Sequence, residues 1–177
     1  ARDDSCGEAY AEFRDRVNAE APRISRLACA YLVSGQDKYA SALRAHLMSW
    51  AASTEAPAHE GYWNKSIRID MLALPMMFAY DLIHDESCWR EGEREKLEQW
   101  LGSMVDFIRW CHEHTARRGN IKNWDNAAIA LYGFLVGDAE TVQYAVGDPR
   151  NAHKHNPAHE MHFKAMIAED INRFGET

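Results

Sequence analysis

The chain has 177 residues, of which 46% are hydrophobic and 27% charged. That balance suits one globular domain with a sizeable core and excludes a disordered chain. A formal net charge of −7 disfavours a general nucleic-acid binder, and no charge-free apolar run is long enough to cross a bilayer.

In chain order, two kinds of helical segment alternate. Ile24 to Val33 is apolar nearly all round, which predicts an inner, buried helix over 24–34. Ala40, Leu43, Leu47 and Trp50 step by three and four, so an outer helix with one dry stripe is expected over 37–53. Ile67 to Ile83 holds MLALPMMFAYDLI and reads as a second inner helix over 67–83, kinked at Pro75. Leu97, Leu101, Met104, Val105 and Ile108 stripe an outer helix over 90–116, and Asn126 to Val136 gives an inner helix over 125–136. A last outer helix is expected over 158–172. No alternating strand pattern stands out.

Inner and outer helices alternate in this way in an α/α toroid or a helical solenoid. Tyr31, Tyr80 and Tyr132 close the three apolar segments at similar places, a period of about 50 residues that fits one helical hairpin. A closed ring needs about six such hairpins, more than 177 residues supply. The expectation is therefore all-α, an incomplete (α/α) toroid of helical hairpins. Residues 1–177 would form part of one catalytic domain, incomplete at the C-terminal side. The rest of the toroid or a second chain would cover that side.

Four cysteines, Cys6, Cys29, Cys88 and Cys111, include no CxxC pair, which disfavours a zinc knuckle or a thioredoxin-type site. Cys29 and Cys111 sit in apolar helical stretches and are expected to be buried free thiols.

Two loops lead into inner helices. One holds Trp63, Asn64, Lys65 and Arg68; the other holds Asn120, Lys122, Asn123 and Trp124, after Arg117 and Arg118. In a toroid both loops reach the same rim, at helix N-termini whose free N–H groups and dipole favour an anion. Indole rings stack on sugars, while amides and cations meet carboxylates. Taken singly, Asn120 and Asn123 also suit helix caps, and the tryptophans suit packing between hairpins. The coincidence at two equivalent loops is what points to a carboxylated carbohydrate.

His153, His155, His159 and His162 in AHKHNPAHEMH match no strong metal signature, so no metal is assigned and a polar loop into a helix near Glu160 is expected. Tyr62, Tyr132 and Tyr144 are possible proton carriers, Tyr132 being placed in the core. Paired carboxylates for a glycosidase would come from Asp70, Asp125 or Glu60, with no pattern to select two.

The segment AYLVSGQDKYASALRAHLMSWA resembles a hairpin of the alginate lyase superfamily. MLALPMMFAYDLI with the acidic helix after it is similar to the next hairpin. GNIKNWDNAAIALYGFLVGD resembles the family's Asn-containing motif at the head of an inner helix. The likeness is to alginate and glucuronan lyases with an incomplete α/α toroid, from about Ile24 to Thr177. The resemblance implies β-elimination on a uronic-acid polysaccharide without an obligatory cofactor. An amide or cation neutralises the C5 carboxylate, a Tyr or His takes the C5 proton, and an acid protonates the leaving O4. By position Asn123 is the neutraliser, with Trp63, Asn64, Lys65, Arg68, Asn120, Lys122 and Trp124 binding substrate. The usual motif has a His directly after the Asn; Trp124 and Asp125 stand here, as in an Asn–Trp variant. The family's Arg and Tyr follow a turn like GET, so the general base and acid are expected outside these residues. The implied partner is an anionic polysaccharide, with no nucleic acid or membrane, and the implied location is secreted or periplasmic. Two other readings of the same pattern are a non-catalytic helical-repeat module that binds carbohydrate or protein, and an α/α-toroid glycoside hydrolase.

Overall fold

A computed structural model describes residues 5–53, 66–114 and 120–168. The fold is all-α with one small hairpin. Helices α1 (Ser5–Ser34), α2 (Asp37–Ser53), α3 (Ser66–Ile83), α4 (Glu93–His114), α5 (Asn120–Val136) and α6 (Ala139–Gly147) precede strands β1 (Ala152–His153) and β2 (Asn156–Glu160). Residues 163–168 are helical again. The chain divides into two compact units, one of residues 1–55 and 71–100, the other of 56–70 and 101–177.

In the first unit α1 and α2 pack as a hairpin. Gly35 turns the chain with φ +61°, a left-handed conformation that glycine adopts without Cβ strain. Its N–H bonds the Tyr31 carbonyl at 2.7 Å. The predicted stripe of α2 is the buried one: Ala40, Leu43, Leu47 and Trp50 are all inside. Val17, Ile24, Leu72, Met76, Met77 and Leu97 are also buried in this unit. Tyr80 is wholly buried, and its hydroxyl donates to Glu98 at 2.5 Å. The hydroxyl of Tyr31 donates to Glu86. That bond, ahead of burial, pushes Tyr31 up to about 12.

In the second unit α5 packs on α6. Gly137 ends α5 at φ +71°, and the Asp138 side chain caps α6 by accepting from the N–H groups of Glu140 and Thr141, donors that an uncapped helix leaves unpaired. Gly133 faces the start of α6 so closely that a Cβ would lie 2.9 Å from the Asp138 carbonyl and the Val142 nitrogen. β1 and β2 pair antiparallel, and the turn between them is tied to the end of α4 by Lys154 N–H donating to the Glu113 carbonyl at 2.9 Å.

Several expectations need correction. The outer helix expected over 158–172 is strand β2 up to Glu160. Pro157 lacks the N–H a helix needs, and helix resumes only at 163, where the His162 ring accepts from Ala165 N–H at 3.1 Å. Helix α6 was not anticipated, and α1 starts at Ser5 instead of near residue 24. Cys111 is buried, but Cys29 is exposed. It shares the open side of α1 with Leu32 and Val33, exposed by 71% and 88%. Phe78 of α3 and Phe134 of α5 are likewise exposed. An all-round apolar run therefore did not mean burial on every side.

Candidate functional site

The head of α5 carries NIKNWDN. Helical spacing puts Lys122, Asp125, Asn126 and Ile129 on one face, and all four are buried. Asn120 is exposed and Trp124 is 46% exposed. Asn123 lies between the two faces, half-buried. Its amide oxygen is inaccessible and has no hydrogen-bond partner among the described residues.

The inward face meets a polar network. The His112 ring lies with Nδ1 3.1 Å from Asp125 Oδ2 and Nε2 2.8 Å from Asn151 Oδ1. Asn151 Nδ2 donates to Asn126 Oδ1 at 2.9 Å and to the Tyr144 carbonyl at 3.1 Å. Asn126 Nδ2 donates to the Met161 carbonyl at 2.7 Å. The Lys122 ammonium donates to the His112 carbonyl. His112, Lys122, Asn126 and Asn151 have no exposed surface at all.

Asp70, from the first turns of α3, joins this network at Asp125. Taken as two carboxylates, the pair leaves both Asp70 oxygens and Asp125 Oδ1 without a donor. Burial, then the adjacent Asp125 charge, holds the Asp70 carboxyl well above the usual carboxylate range. A protonated Asp70 can donate to Asp125, an arrangement that would satisfy both carboxyl groups.

The hairpin adds imidazoles. The His153 and His155 rings are 5.8 Å apart, His155 and His114 6.4 Å, and His114 stacks on Trp110 at 4.5 Å. Burial first, then the neighbouring His155 and Lys122, pushes His153 down. Among the described residues no three His, Cys, Asp or Glu are placed to hold a metal ion.

The expected site residues are distributed as follows. Asn120, Asn123 and Trp124 share the head of α5. Lys122, expected to hold a substrate carboxylate, instead turns its ammonium inward to the His112 carbonyl. Trp63, Asn64, Lys65 and the Arg68 side chain lie outside the described residues, as do Tyr62 and Glu60. Tyr132 is half-buried. Tyr144 is buried, donates to Glu113 at 2.7 Å and is pushed upward chiefly by burial; it is a donor, not a base. His112, Asn126 and Asn151 were missed. Their partners are distant in sequence, but the spacing 122, 125, 126, 129 does mark an inward face.

A helical-hairpin protein with an Asn-bearing helix head braced from inside is the class these features define. The chain belongs to the alginate lyase family, whose model matches residues 2–160; this is a family of lyases acting on polysaccharides. No curated protein and no solved structure matches the chain.

Proposed function

We propose that the protein cleaves a uronic-acid polysaccharide, alginate or glucuronan, by β-elimination. The observation that carries the reading is Asn123: in a chain of this family it stands at the head of an apolar helix, half-buried between that helix's inward and outward faces. An amide there can hold the C5 carboxyl in its neutral form. The C5 proton is then more acidic, and the enolate charge that develops is stabilised where it forms. The C5–H bond breaks to a base, the electron pair forms the C4–C5 double bond, and O4 leaves with a proton from an acid. Asn120 and Trp124, on the outer side of the same helix head, line the sugar subsites. Trp63, Asn64, Lys65 and Arg68 are proposed to complete them from the other loop. Lys122 supports the helix head from within. The unit is proposed to be one part of an α/α toroid, working in a secreted or periplasmic setting; among the described residues no helix is long and apolar enough to cross a membrane.

One pairing open to the hydrolase alternative is disfavoured: Asp70 and Asp125 are both buried, whereas glycosidase carboxylates flank the scissile bond of a bound sugar; Glu60 lies outside the described residues. The test is incubation with alginate and with glucuronan. New ultraviolet absorbance from an unsaturated uronate supports the lyase. Reducing ends without that absorbance would indicate a hydrolase, and binding with neither signal a carbohydrate-binding module.

A further inference from the structure

The hairpin is locked to α5 at its base. Met161 N–H donates to the Asn151 carbonyl at 2.7 Å, Asn126 Nδ2 donates to the Met161 carbonyl at 2.7 Å, and Asn151 Nδ2 donates to Asn126 Oδ1 at 2.9 Å. These three wholly buried residues close a ring of hydrogen bonds around the two ends of the hairpin. The turn of the hairpin is held as well. Lys154 N–H donates to the Glu113 carbonyl at 2.9 Å, and His155 N–H donates to His153 Nδ1 at 3.2 Å. The His155 ring meets His114 edge-on at 6.4 Å, and His114 stacks on Trp110 at 4.5 Å. The Trp110 carbonyl, 2.8 Å from His114 Nδ1, only accepts, so Nδ1 carries a hydrogen and Nε2 is the ring nitrogen left for a ligand. All of these residues belong to the second unit.

Residues 152–159 hold one lysine, three histidines and no carboxylate, in a chain of net charge −7. The carboxylates on either side are engaged. Glu113 accepts from Tyr144 and Arg109, and Glu160 meets the His162 ring at 3.0 Å. Lys154 and His155 are exposed. We propose that Lys154 and His155 on this turn, with His114 beside them, form a second carboxylate-binding site for the sugar chain, a subsite for a uronate residue other than the one held at Asn123. That the ligand is a polyuronate rests on the lyase reading. The ammonium of Lys154 meets the carboxylate in a charge-assisted hydrogen bond. The imidazoles of His155 and His114 meet sugar hydroxyls, which both donate and accept, so the contact forms in either charge state of the rings. An acidic surface repels a polyanion, and this turn is a place where that repulsion is absent. Because the turn is fixed before the sugar arrives, binding orders few groups. Asn126, one helical turn beyond Asn123, holds the hairpin base, and Lys122 bonds the His112 carbonyl two residues before His114. The subsite is therefore carried at the Asn123 end of α5.

The test compares the whole chain with the double variant Lys154→Ala, His155→Ala. Both side chains are exposed, so the melting temperature should match that of the wild type. Calorimetric titrations use saturated oligomers of alginate and of glucuronan, and the same oligomers with their carboxyl groups reduced to alcohols. The Kd for the anionic oligomers should rise about tenfold in the double variant. The reduced oligomers should bind both proteins alike. His114→Phe keeps the stack on Trp110 and removes the ring nitrogens, and it should raise the same Kd about threefold. On the polymers KM should rise with kcat changed by less than about twofold. Equal affinity of wild type and double variant for the anionic oligomers overturns the proposal, as does an equal loss on the reduced ones or a fall in kcat at constant KM. A wild type that binds no anionic oligomer overturns it too. If the double variant does not fold, Lys154→Gln alone is read in the same way. A tenfold loss of binding without an unsaturated product from any polyuronate would sink the lyase reading and leave the subsite. Cleavage with unchanged affinity would sink the subsite and leave the lyase.

Discussion

Arg44 and Glu93 lie 49 residues apart and meet in a two-point grip: Nε donates to Oε2 at 2.6 Å, and a terminal nitrogen donates to Oε1. Glu93 also accepts from Arg90 N–H at 2.9 Å. The grip of Arg44, ahead of the Arg90 contact, holds the Glu93 carboxyl down to about 2. A fork matched to a carboxylate is stronger than a point contact, and both side chains are mostly shielded, at 15% and 17% exposure. Arg44→Met should destabilise the first unit by about 1–2 kcal/mol in urea titrations. Glu93 binds its proton more readily unfolded than folded. Its contribution is therefore complete above its ordinary value of 4.5 and drains away as pH falls through about 2. Arg44→Met should remove that part of the acid sensitivity.

Asp70 should act in the opposite direction. Its carboxyl is held above the usual range by burial and by Asp125, so the folded chain keeps the proton longer than the unfolded chain. The contribution is complete below the ordinary carboxylate value and is lost as pH rises through the raised one. Denaturation midpoints of the second unit should thus fall toward alkaline pH. Asp70→Asn, which is neutral at every pH, should flatten that decline. A wild type with no alkaline loss would refute the shared-proton arrangement.

Gly133 offers a steric prediction. An added Cβ would sit 2.9 Å from two backbone atoms of α6, which cannot rotate aside. Gly133→Ala should cost about 1–3 kcal/mol through a forced shift of α6 against α5. At Gly92 a Cβ would meet open space, but φ is +74°, so Gly92→Ala should cost only about 1 kcal/mol of backbone strain. Thermal melts of the two variants separate the two causes.

The sequence was legible where one periodic stripe faced one core. The stripe of α2 is the clearest instance, because four apolar residues at helical spacing have only one place to go. At the head of α5 the apolar run was visible and the polar face was not. The sequence alone assigns Lys122 to substrate and Asp125 to a possible glycosidase pair; the spacing 122, 125, 126, 129 marks one face but cannot name its partners, His112, Asn151 and Met161, 10 to 35 residues away. The hairpin escaped because strands of 2 and 5 residues are too short to show alternation. Helix α6 was readable in principle from Asp138 with Thr141 three residues on, a capping pattern. The exposed side of α1 was not, because hydrophobicity alone cannot say which flank lacks a neighbour.

At the site itself, Asn123→Ala should reduce kcat on polyuronate on the order of 10²- to 10³-fold, the usual loss when one group stabilising a developing oxyanion is removed. Its melting temperature should stay near that of the wild type, since the truncated amide oxygen has no partner among the described residues. Trp124→Ala should raise KM about tenfold through lost stacking and leave kcat nearly unchanged. Initial rates over a range of polymer concentration distinguish the two.

The placement of the thiols equips the chain with its own clock. Cys29 is open to solvent and Cys111 is sealed, the first belonging to one compact unit and the second to the other. A thiol-specific reagent should therefore consume Cys29 at once, reach the half-shielded Cys88 of the first unit more slowly, and wait for Cys111 until the second unit opens, since only an accessible thiolate reacts. The slow phase that Cys111→Ser abolishes times that opening under native conditions, and it needs neither denaturant nor an introduced probe.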